Sequence, residues 1–254
     1  MNNKGQASIF LVAAVIILLV AGAFSMLTQS NKEMSHTNPL SLAPVSQYVE
    51  SCLKDTVTEG IYSISLQGGY YQPMHAQVFE DKSVSFYLDA SQFSAPTLYT
   101  IESELTQYIE DNLPLCIDDF RGLVALEYRI EAGTPSSQTR IGEDEITVLV
   151  SYPVTIQQGN EKKELDRFSV SIPFDFKEVY KIIQDIMLQQ GSTPNAIPYG
   201  FLAYSAYSND YYFTIYEIDS DIMVYQLEFP SKKLDGKVYK FNFAASYDWA
   251  EEGQ

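Results

Sequence analysis

From Gly5 to Asn31 the chain carries no charged residue, and Ile9 to Leu27 within that stretch is almost entirely apolar. As an α-helix rising ~1.5 Å per residue, this run reaches roughly 28 Å, the thickness of a bilayer's hydrocarbon core. Lys4 and the terminal amine stand before it, while Lys32 and Glu33 cancel after it. The positive-inside rule therefore keeps the N-terminus cytoplasmic and sends the rest of the chain out, with membrane lipid as the helix's first partner. Three fates follow from the flanking residues. Ala21, Gly22 and Ala23 form a small-x-small site for a signal peptidase, although the apolar run continues past it through Phe24, Met26 and Leu27. An uncut anchor is the second fate. The third rests on Lys4, Gly5 and Gln6.

The opening MNNKGQASIF and the apolar run behind it resemble the prepilin-type leader of archaeal type IV pilins and related surface proteins. The resemblance covers about the first twenty-five residues. It implies that a prepilin peptidase cuts between Gly5 and Gln6, and that the retained helix packs into a filament core with other copies or other pilin-like subunits. The function so implied is a structural surface protein, a pilin-like subunit or minor pilin. Phe10 stands where bacterial pilins usually carry a glutamate. If the helix is never cut, the alternative is a single-span anchored extracellular binding module that does not polymerise.

The 254 residues include 16 Lys plus Arg against 33 Asp plus Glu, a formal charge of -17. A surface that tracks phosphates is thereby excluded, and nucleic acid with it. Two cysteines, Cys52 and Cys116, and two histidines, His36 and His75, complete no ligand spacing, so no metal and no cofactor is expected. In the cytosol the cysteines would be reduced core thiols. Export predicts that they are bonded to each other.

The chain divides into a leader at 1–5, a hydrophobic helix at 6–28, a polar linker at 29–42 and an extracellular domain at 43–254. In the domain, Val45, Val49, Cys52, Leu53, Val57, Ile61 and Ile64 recur at helical spacing between Pro44 and the stop at Gly68-Gly69. A second helix is predicted over 97–112, with Leu115, Cys116, Ile117 and Phe120 continuing after Pro114. Alternation predicts strands through Val84 to Leu88, Val124 to Ile130, Ile146 to Val154 and Phe168 to Phe174, with Glu161 to Asp166 as a hairpin connection. Asp175 and Glu178 form a capping box for a third helix ending near Gly191. Tyr211 to Ile218, Ile222 to Phe229 and Lys237 to Ala244 read as a meander turned at Asp219-Ser220-Asp221 and Asp235-Gly236. The fold class expected is α+β, one N-terminal membrane-spanning or filament-core helix followed by about three helices and an antiparallel sheet. The stretch YVESCLKDTVTEGIYSISLQGGY is also similar to a segment of uncharacterised single-span exported proteins of small-genome archaea.

Little in this pattern points to catalysis, and the chain is not expected to be an enzyme. His36 falls in the linker, and His75 stands in a loop without a nucleophile signature. Asp118-Asp119 and Glu143-Asp144-Glu145 are candidate glycosidase carboxylates only if space brings acids to the right separation, and otherwise read as solvated turns. Glu217, Asp219 and Asp221 alternate like calcium ligands but lack the glycine and distal glutamate of an EF-hand loop. The 19 tyrosines, clustered at 70–71, 199–207 and 211–212, are the most unusual compositional feature. In strands such residues pack half-buried with a polar rim, and on surfaces they serve contacts.

Overall fold

The computed structural model describes residues 40–90 and 92–249. The leader with its cut between Gly5 and Gln6, the apolar run and His36 lie outside the described residues. Helix α1 (Ala43–Leu66) opens with Pro44, whose missing N–H costs nothing in a first turn. It buries Val45, Val49, Leu53, Val57, Ile61 and Ile64 on one side. Then follow strands β1 (Ala76–Phe79), β2 (Lys82–Asp89) and β3 (Gln92–Phe93) and helix α2 (Leu98–Ile117). The hydroxyl of Thr97 caps α2 by accepting from the Thr100 N–H at 3.1 Å.

Strands β4 (Arg129–Ala132), β5 (Ser136–Ile141), β6 (Glu145–Gln158) and β7 (Glu161–Pro173) come next. Helix α3 (Phe176–Ser192) starts where the Asp175 carboxylate accepts from the Glu178 N–H. Helix α4 (Tyr199–Ser208) and strands β8 (Tyr212–Glu217), β9 (Ile222–Leu234) and β10 (Lys237–Ser246) complete the domain.

The strands form two sheets. The first has the order β1-β2-β10-β9-β8, with β3 added beside β2. All its pairings are antiparallel except β2 with β10, where Phe86 and Leu88 face Ala244 and Ala245 in parallel. The second is built on β6, which pairs antiparallel with β7 on one side and with β5 and then β4 on the other. The handover from β5 to β4 falls at Pro153, where the β6–β7 register shifts between Ser151 and Val154. A proline has no N–H to give to a ladder, so it fits only at such an interruption. Helix α1 touches β7 of this sheet, β10 of the other and α2, and it contributes to the single large core those elements share.

Several expectations are corrected. The described domain has four helices rather than about three, and its first sheet is mixed rather than antiparallel. No helix among the described residues is long and apolar enough to cross a membrane, so the membrane-spanning or filament-core helix is no part of the described fold. The strand expected over 124–130 is replaced by a 3-10 segment, Asp118–Leu126, and only Arg129–Ala132 is extended there. Asp118, Asp119 and Phe120 all take left-handed conformations (φ 44°, 51° and 58°), reversing the chain so that the Phe120 ring is buried near Tyr48. Residues 161–166 belong to β7 itself, because the hairpin closes in the tight turn at Gly159-Asn160. Helix α2 runs on through Pro114 to Ile117.

Candidate functional site

Helices α1 and α2 pack antiparallel, and their register is set by a close approach at Gly60. A Cβ there would lie 2.7 Å from the Tyr108 ring and 2.8 Å from a Leu105 methyl, so only glycine admits this approach without repacking. Two turns back along α1, Cys52 is bonded to Cys116 near the end of α2, with Cα atoms 5.6 Å apart. Neither cysteine is free, and the bond closes the start of α1 onto the end of α2.

The other face of α2 does something the sequence reading missed. Strand β5 is an edge strand whose outward N–H groups need partners. Glu110 accepts from the Ser137 N–H at 2.6 Å, the Thr106 hydroxyl from the Thr139 N–H at 3.2 Å, and Glu102 from the Ile141 N–H at 2.8 Å. Residues at 102, 106 and 110, one face of a helix, thus meet alternate residues of a strand running the opposite way. The signal available in the sequence was this i, i+4, i+8 set of acceptors beside the otherwise polar run Ser136-Ser137-Gln138-Thr139-Arg140. Above this seam lies a groove of about 740 Å³ lined by Tyr99, Ser103, Gln138, Arg140, Thr147 and Lys177 among others. Tyr99 is exposed there, and Lys177 is paired with Glu143 at 2.6 Å.

The acidic groups singled out in the sequence are not brought together. Asp118 pairs with Arg121 at 3.4 Å on the surface, Glu145 accepts from the Ser171 hydroxyl, and Asp219 accepts from the Ser220 N–H in the β8–β9 turn. Among the described residues no group of three or more His, Cys, Asp or Glu is placed to hold a metal ion. His75 meets the Asp89 carboxylate at 3.0 Å, and its ring lies 4.7 Å from that of Phe86.

The tyrosines divide in two. Tyr87, Phe243 and Tyr225 stack across β2, β10 and β9, with centroids 5.1 Å and 4.7 Å apart. The Tyr225 hydroxyl bonds that of Tyr247, which donates to Gln190 of α3 at 3.0 Å, and the Gln190 amide donates to the Thr193 and Ala196 carbonyls. Tyr239 bonds the Ser65 hydroxyl of α1, and Tyr87 donates to the Gly68 carbonyl at 2.8 Å. Burial pushes all of these phenols up, Tyr247 to about 12. Tyr108, between α1 and α2, is also pushed up to about 12 by burial and by the Glu59 charge. In contrast, Tyr199, Tyr204, Tyr207 and Tyr212 are exposed on α4 and the start of β8. Compared with known protein families, curated proteins and solved structures, the chain matches none.

Proposed function

We propose that this chain is a structural protein of the cell surface, a pilin-like subunit or minor pilin that assembles through its N-terminal apolar segment and does no chemistry of its own. The observation that carries the reading is the Cys52–Cys116 disulfide, because such bonds persist outside the reducing cytosol, and this one follows an uncharged run behind Lys4-Gly5. A prepilin peptidase is the processing partner, and other copies or other pilin-like subunits are the assembly partners. Mass spectrometry of the mature N-terminus tests it. A chain that begins at Gln6 and is released in sheared surface filaments supports the proposal, whereas one that begins at Met1 and stays with the cells sinks it. In that event the second reading takes over, a surface-anchored binding module. The groove between α2 and β5, with its exposed Tyr99 and with Arg140 in its lining, favours that alternative.

A further inference from the structure

The exposed strand edges of this domain are not alike. On β5 the outward N–H groups are taken by Glu102, Thr106 and Glu110. Strand β7 begins with the charged run Glu161-Lys162-Lys163-Glu164, which discourages another strand from adding. Strands β1 and β3 are four and two residues long. Strand β8 has none of these protections. It pairs with β9 alone, spans six residues, and carries no charge from Tyr211 through Tyr216 in a chain of net charge -17. Among the described residues no backbone or side-chain group bonds its outer edge.

We infer that the open edge of β8 pairs antiparallel with β8 of a second copy of this chain, continuing the first sheet across a two-fold axis. Two arguments choose a second copy. In a chain of net charge -17, the uncharged β8 strip lets two copies pair without setting carboxylate directly against carboxylate. The strip is also self-complementary. Centred on Thr214, the pairing sets Tyr212 across from Tyr216 on the outer face and Phe213 across from Ile215 on the inner face, while the two Glu217 carboxylates fall at opposite ends. Tyr212, exposed on β8 itself, supplies aromatic contact area of the kind interfaces favour.

The inference is separate from the filament reading. The full chain in detergent, measured by light scattering, should have the mass of two copies, and Thr214→Lys, which sets two cations face to face, should halve it. Since both native cysteines are bonded, Thr214→Cys introduces the one free thiol, and mild oxidation should convert most of the chain to a reducible dimer. A wild-type chain of one-copy mass, a T214K chain that keeps two copies, or a T214C chain that stays unlinked each overturns the inference. Sheared filaments with no T214C cross-link would leave the proposed function standing and this pairing refuted, and a cross-linked dimer without filaments the reverse.

Discussion

The two sheets are held by different chemistry. Around the second, α2 is fastened to α1 by a covalent bond and to the β5 edge by two carboxylates and a hydroxyl. Around the first, stacked rings fill the inner face and buried phenols reach outward to α1, α3 and the Gly68 turn. One side is thus sensitive to reductant and to the loss of an acceptor, the other to alkali and to the loss of a ring. Because both sides share one core around α1, a cooperative domain should lose them together, and perturbations aimed at each side separately test whether it does.

Alkali should have the largest effect. The buried phenols have folded pKa values raised above the unfolded value of about 10. The stability they lend is therefore fully present below pH ~10 and is lost as pH rises through the folded values, which for Tyr108 and Tyr247 are about 12. Near-ultraviolet circular dichroism should be lost in one step, together with the share of the tyrosinate absorbance that belongs to the buried phenols. Gradual titration of the whole tyrosine set in a chain that stays folded would refute the account of the first sheet. Next, Phe243→Ala empties the middle of the ring stack at a fully buried position and should cost about 3–5 kcal/mol in urea unfolding. Cost below about 1 kcal/mol would mean the stack is not a structural column.

Cys52→Ala with Cys116→Ala opens a loop of sequence separation 64, for which chain entropy sets a loss of about 4 kcal/mol. If that variant loses the α2–β5 seam while the first sheet stays intact by hydrogen exchange, the two sides are separate folding units and the shared core is not cooperative. The smallest change, Glu102→Ala, leaves the Ile141 N–H without its acceptor and should cost about 1–3 kcal/mol, with faster exchange at that amide. Unchanged exchange at Ile141 would mean that the Glu102 carboxylate does not hold the β5 edge.

What could be read from the sequence was whatever repeats against one face. Helix α1 and the cap of α3 were visible because buried residues recur every third or fourth position behind a clear start signal. The same holds for β6, whose even-numbered residues from Ile146 to Ile156 point inward. Helix α4 was invisible for a physical reason: Tyr199-Gly200-Phe201-Leu202-Ala203-Tyr204 has no polar face to contrast with an apolar one, and only Leu202 and Ser205 are buried. Strand β5 escaped because its outward polarity is answered by α2, a partner far off in sequence. The left-handed turn at 118–120 has no local signature, since three non-glycine residues are held there by the buried Phe120 and the neighbouring disulfide. Of the site, the cysteine pair was legible, while the carboxylate seam required knowing which helix lies beside which edge.

The α2–β5 seam also behaves as a vernier. Four residues of helix advance roughly 6.0 Å, whereas two residues of antiparallel strand advance roughly 6.8 Å. Aligned at the Thr106–Thr139 rung, the two scales drift by about 0.8 Å at each rung on either side, which a flexible glutamate can absorb in a way that a shorter side chain cannot. Such a seam has threonine at its centre and glutamates at its ends, as here. It also has a natural length: a fourth rung would fall about 1.6 Å out of step, so neither a longer helix nor a longer strand could extend it.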